Sequence, residues 1–124
     1  MSQKTAYKTA TDLVNDAKTR IREVTPKEVR EMQSRGENVV YLDVREPQEW
    51  NLGHLPRAIH IPRGTLESAI EARVPREQKV VIYCASGNRS AFAADTLQQM
   101  GYADVASMSR GFRGWAEDGG EVEG

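Results

Sequence analysis

Two short runs in this chain are apolar on every residue. Val39-Val40-Tyr41-Leu42 ends at Asp43, and Val80-Val81-Ile82-Tyr83 ends at Cys84. A half-exposed strand alternates apolar with polar side chains, whereas a run without a polar alternate belongs inside a sheet covered on both faces. Helical patterns lie between and around these runs. Thr25-Pro26-Lys27-Glu28 has the form of a helix start, with Thr25 as cap, Pro26 in the first turn and Glu28 completing a capping box; Gly36 is its stop. Val29 and Met32 supply its inner face. Further strands are expected at Ile21–Val24, on an edge, at Ala58–Ile61 and at Asp104–Met108. Further helices are expected over 65–72, over 89–100 with Ala93, Leu97 and Met100 on the apolar face, and over 112–117. Strands alternating with helices at these lengths predict a three-layer α/β/α domain around a mostly parallel sheet of about five strands. Ahead of it, Tyr7, Ala10, Val14, Ala17 and Ile21 recur at steps of three and four, the mark of an amphipathic helix. The expected division is an N-terminal helical extension over 1–20 and the α/β domain over 21–124.

Composition excludes several classes of function. The charged residues, 28% of the 124, nearly cancel to a formal net charge of -1, which gives no global case for nucleic acid or an anionic membrane. The first eight residues lack the apolar core of a signal peptide, and no apolar run approaches membrane-spanning length. The single cysteine excludes an internal disulfide and fits a reducing compartment, so the expected location is cytoplasmic. His54, His60 and Cys84 lack the spacing of metal ligands, and neither metal nor cofactor is expected.

In open α/β sheets ligands bind beyond the carboxyl ends of the strands. Asp43 and Cys84 both occupy such ends. Taken alone, a cysteine there is more often a small buried apolar residue than a nucleophile. Its neighbours change that reading. Ala85, Ser86 and Gly87 have little bulk, and Gly87 and Asn88 tolerate unusual dihedrals. The segment can therefore curl into a nest of inward-facing amides at the start of a helix. Arg89 adds a fixed positive charge, and Ser90 is a candidate cap. Such surroundings favour thiolate, the reactive form of sulfur.

Three segments together resemble the rhodanese family of sulfurtransferases. They are Leu42 to Ala58, containing Asp43-Val44-Arg45 and Gly53-His54-Leu55-Pro56; Cys84-Ala85-Ser86-Gly87-Asn88-Arg89-Ser90; and Gly111-Phe112-Arg113-Gly114-Trp115 with the residues after it. The resemblance runs from about Ile21 to the end of the chain. It implies that Cys84 attacks a sulfane sulfur, as in thiosulfate, and becomes a persulfide. A thiophilic acceptor, such as cyanide or a cellular thiol, then removes the outer sulfur in a ping-pong cycle. The amides from Ala85 to Ser90 would hold the anionic persulfide, and no general base would be needed. The partners implied are a small-molecule or protein-bound sulfane donor and a thiol or cyanide acceptor, with the N-terminal helix leaving room for a partner surface or a homodimer.

The supporting residues admit two readings each. Asp43 either anchors Arg45 or the cysteine loop, or caps its own turn. Arg45 either adds positive potential at the mouth or pairs with Glu49 on the surface. His54 orders a turn, and Trp50 and Trp115 are packing residues. Two-domain thiosulfate sulfurtransferases place basic residues directly after the cysteine and an arginine near the position of Glu49. Here Ala85 and Ser86 are neutral and Glu49 is acidic, leaving Arg89, helped by Arg45, to hold a thiosulfate dianion. A protein-bound persulfide is therefore an alternative donor.

Two other functions compete. A phosphatase or arsenate reductase on the same architecture has five residues between cysteine and arginine; here four separate Cys84 from Arg89. A sulfur-carrier or regulatory binding module would use the fold as a scaffold. Disulfide oxidoreduction is disfavoured because no second cysteine can resolve a mixed disulfide.

Overall fold

The computed structural model describes residues 6–124, so the first five residues of the expected extension over 1–20 lie outside the described residues. Five strands form one sheet: β1 (Arg22–Val24), β2 (Val40–Asp43), β3 (Ile59–His60), β4 (Val80–Tyr83) and β5 (Val105–Met108). Their order across the sheet is β1-β5-β4-β2-β3, and every pairing between them is parallel. Helices α1 (Ala10–Lys18), α2 (Pro26–Ser34), α3 (Pro47–Asn51), α4 (Leu66–Ala69), α5 (Asn88–Gln99) and α6 (Gly111–Glu117) complete the fold, with 3₁₀ turns flanking α4. The expected three layers are present.

Each local element has a cause in the chain. Thr25 accepts from the Glu28 amide at 3.1 Å while Glu28 accepts from the Thr25 amide at 2.8 Å, so the capping box starts α2 at Pro26. Gly36 follows it at φ +66°, a conformation that favours glycine. The central strand β4 is buried on all four residues. Val80 and Ile82 face a core shared with Leu42, Ala93 and Leu97; Val81 and Tyr83 face one shared with Val29, Ala106 and Trp115. Burying each large aliphatic side chain gains about 1.5–3 kcal/mol. Both faces therefore fix β4, and with it the point where the chain leaves the sheet.

The N-terminal helix differs from its sequence reading. Tyr7 precedes it and is 70% exposed, and the helix begins at Ala10, with Thr9 as cap and Asp12 completing the capping box. Val14 and Ala17 are its buried residues, and it packs on the outside of α5. Arg20 ties the end of this segment to α5, its guanidinium donating to both carboxylate oxygens of Asp95 at 2.9 Å.

Candidate active site at the carboxyl edge of the sheet

Strands β2 and β4 are neighbours in register, with Asp43 beside Tyr83. The residues that follow them, Val44 to Glu46 and Cys84 to Ser90, therefore emerge side by side at one edge of the sheet. The Val44 amide still donates to the Tyr83 carbonyl at 3.1 Å, so the two exits begin as a pair.

Cys84 is 1% exposed and packs on the α5 side of the sheet. The chain then reverses, with Gly87 at φ +107° as the N-cap of α5. Through this turn the Gly87 amide donates to Cys84 Sγ at 3.2 Å and the Ser90 amide at 3.3 Å. The sulfur thus sits on two converging N–H groups at the first turn of a twelve-residue helix. Ser90 is not the cap that its sequence position suggests. It is the third helical residue, its hydroxyl lies 3.5 Å from Sγ, and it shares a 2.8 Å hydrogen bond with Ser107. The backbone of Gly87 makes the turn, freeing the Ser90 side chain to face the sulfur. Ala85 is half-buried, while Ser86 and Asn88 point outward, exposed.

The loop is held from behind by α6. The Phe112 amide donates to the Cys84 carbonyl at 2.7 Å and the Arg113 amide to the Ala85 carbonyl at 3.0 Å. Gly111 makes that approach possible. It has φ +53°, and a side-chain carbon there would collide with the Cys84 and Ala85 backbone.

Asp43 and Arg45 form a buried pair beside the loop. The Arg45 amide donates to Asp43 Oδ1 at 2.8 Å, its Nη2 to Oδ2 at 2.7 Å, and the same Nη2 to the Gly53 carbonyl at 2.7 Å. The Arg45 guanidinium also lies 4.3 Å from the centre of the Phe112 ring. Arg45 thus ties the end of β2 to Gly53 and closes the excursion that carries α3. The surface pairing of Arg45 with Glu49 does not occur. Arg45 precedes the helix, which starts at Pro47, so the two do not share a helical face.

Glu49 instead reaches Arg89. The two make a two-point ion pair, Nη1 to Oε1 at 2.8 Å and Nη2 to Oε2 at 3.1 Å, with both side chains about one-third exposed. The Glu46 amide donates to Glu49 Oε1 at 2.8 Å as well. Those hydrogen bonds, that of Arg89 foremost, hold the Glu49 carboxyl down at about 2. Of the candidate residues, Arg89 therefore lies in the loop with its side chain already engaged.

His54 donates and accepts along its backbone with Glu123, and its ring stacks on Trp50 at 3.5 Å between centroids, with His60 on from Trp50 at 5.0 Å. The Leu55 amide donates to the buried Tyr83 hydroxyl at 3.1 Å, anchoring the turn to β4. No group of three or more candidate metal ligands lies together among the described residues. Two features of the site were not expected from sequence, Ser107 and the pairing of Glu49 with Arg89. A serine in the otherwise apolar run Val105–Met108 was the available signal for the first.

The rhodanese-like domain family matches residues 25–118, and the chain belongs to that family. A "Sulfurtransferase" of Allochromatium vinosum is 36% identical over 83 residues, covering 67% of this chain and 77% of its own. The "Probable adenylyltransferase/sulfurtransferase MoeZ" of Mycobacterium tuberculosis is 33% identical over 95 residues, 76% of this chain but only 24% of that protein. The chain thus spans about a quarter of that longer relative. A Rhodopseudomonas palustris protein of unknown function, described as a "Possible Tyrosine Phosphatase", superposes with a TM-score of 0.87 at 33% identity. It covers 99% of each chain, so the similarity takes in α1 as well as the sheet.

Proposed function

We propose that the chain is a sulfurtransferase in which Cys84 is the nucleophile and carries sulfur as a persulfide. The Cys84 thiolate attacks the sulfane sulfur of a donor. The new S–S bond forms at Cys84, and the donor's own bond breaks with its electron pair leaving on the remainder, as sulfite from thiosulfate or a thiolate from a hydropersulfide. In the second half-reaction a thiophilic acceptor attacks the outer sulfur and the Cys84 thiolate leaves. No net oxidation or reduction of the protein occurs over the cycle, which suits a chain with one cysteine.

The observation that carries this reading is the pair of amides from Gly87 and Ser90 on Sγ. Donors aimed at a sulfur atom stabilise negative charge there without a proton acceptor. The remaining loop residues, Ala85, Ser86, Asn88 and Arg89, carry the chain through the turn that presents those amides, and the Asp43–Arg45 pair fixes the neighbouring exit from β2. The sulfurtransferase relatives support the class of reaction. The phosphatase reading suits the site less well. Only four residues separate Cys84 from Arg89, and Arg89 is committed to Glu49 rather than aimed at a tetrahedral oxyanion.

Thiocyanate release from cyanide and a sulfane donor tests the proposal. We expect turnover in the wild type and none in Cys84→Ser; phosphate release from an aryl phosphate without thiocyanate formation would overturn it.

A further inference from the structure

The seven residues Cys84 to Ser90 contain one charged side chain, Arg89. It spends two of its guanidinium nitrogens on Glu49. Arg45, which follows β2 beside the loop, is buried and spends its donors on Asp43 and Gly53. Glu49 is itself braced, because it also accepts from the Glu46 amide in the capping box of α3. Both ends of α3 are fixed, since Arg45 clamps the Gly53 carbonyl just beyond it. The carboxylate is thus a braced partner of Arg89 rather than a chance surface contact.

We propose that Glu49 is the residue that selects the sulfur donor, by neutralising Arg89, the one charged side chain of the cysteine loop. The inference rests on the reading of Cys84 as the sulfur-carrying nucleophile. A small dianion such as thiosulfate meets a neutral ion pair in place of a free guanidinium, and is disfavoured for want of that attraction. A donor with less charge beside its sulfane sulfur, such as a hydropersulfide on a thiol, pays no such penalty. With that donor, R–S–SH transfers its outer sulfur to Cys84–S⁻, giving Cys84–S–SH and R–S⁻. With thiosulfate the same attack gives Cys84–S–S⁻ and sulfite, so the two donors differ in charge and not in the bond made.

A charge series of donors with the same S–S chemistry tests this. The second-order rate constant kcat/KM for thiocyanate formation is measured with thiosulfate, a dianion, and with an alkanethiosulfonate, a monoanion. Glu49→Gln keeps the length and the acceptor for the Glu46 amide but removes the charge. It raises kcat/KM for thiosulfate roughly tenfold and for the thiosulfonate by a clearly smaller factor, because the effect scales with donor charge. Adding Arg89→Gln to Glu49→Gln abolishes the gain. Equal changes for both donors, or a gain that survives in the double variant, would overturn the role of Glu49. A gain that depends instead on the exposed Arg113, tested by adding Arg113→Gln, would overturn it too. Sulfur uptake by neither donor, in wild type or variant, would overturn both this inference and the sulfur-transfer reading beneath it.

Discussion

The Ser107 hydroxyl, buried at the carboxyl end of β5, holds the Ser90 hydroxyl at 2.8 Å, and Ser90 in turn lies 3.5 Å from the sulfur of Cys84. A strand two places along the chain from the cysteine thus reaches the reacting atom through one intermediate side chain. Ser107→Ala removes that hold and leaves the Ser90 hydroxyl with the sulfur alone. We expect a stability loss of about 1 kcal/mol, the usual worth of one buried hydrogen bond. We also expect slower sulfur loading with little change in donor KM. Chemical denaturation and steady-state kinetics on the same preparation separate the two effects.

The Asp43–Arg45 pair stands on different energetics, because both side chains are buried. Breaking a buried pair from one side leaves an uncompensated charge and costs about 3–5 kcal/mol. Asp43→Asn should therefore destabilise the fold by that order in urea denaturation. Replacing both residues, as in Asp43→Asn with Arg45→Met, should recover part of the loss, since no bare guanidinium then remains buried. A double variant less stable than Asp43→Asn alone would contradict this account.

Gly111→Ala tests the support behind the cysteine loop. The added carbon would sit 2.7 Å from the Ala85 carbonyl carbon, at a φ that side chains rarely adopt. The Cys84–Ala85 backbone must move, taking the sulfur off the two amides. We expect at least a tenfold loss of sulfur loading, of the size that follows when a positioned donor is lost. Circular dichroism should show the sheet retained.

Glu49 gives a pH signature. Its carboxyl lies below its ordinary value of 4.5, at about 2, chiefly through the hydrogen bonds from Arg89. A depressed carboxyl contributes stability that is complete above the unfolded value and is lost as pH falls through the folded one. The difference in Tm between wild type and Glu49→Gln should therefore be constant from neutral pH down to about pH 5 and shrink toward pH 2. A difference that faded between pH 7 and 5 would show that another group is responsible.

What sequence reading could see here depended on distance along the chain. The strands β2 and β4, the capping box of Thr25 and Glu28 and the turn at Gly87 are all set by neighbours within a few residues, and each is where its pattern places it. The edge position of β1 followed only weakly, because its pairing with β5 joins residues such as Arg22 and Ala106 that nothing local connects. The same holds at the site. The amides of Gly87 and Ser90 lie three and six residues from Cys84, and a nest was foreseeable. The Arg89–Glu49 pair spans forty residues and depends on α3 being clamped at Gly53, which no local pattern reports. Of the two readings of Arg45, the surface pair with Glu49 fails because α3 starts after it and its side chain turns inward to Asp43.

The most direct test of the account is the intact mass of the protein after incubation with a sulfane donor and removal of excess reagent. The expected result is a gain of one sulfur atom in the wild type, its removal by cyanide with release of thiocyanate, and no gain in Cys84→Ser. An unchanged mass with every sulfane donor, or a gain that persists in Cys84→Ser, would contradict it.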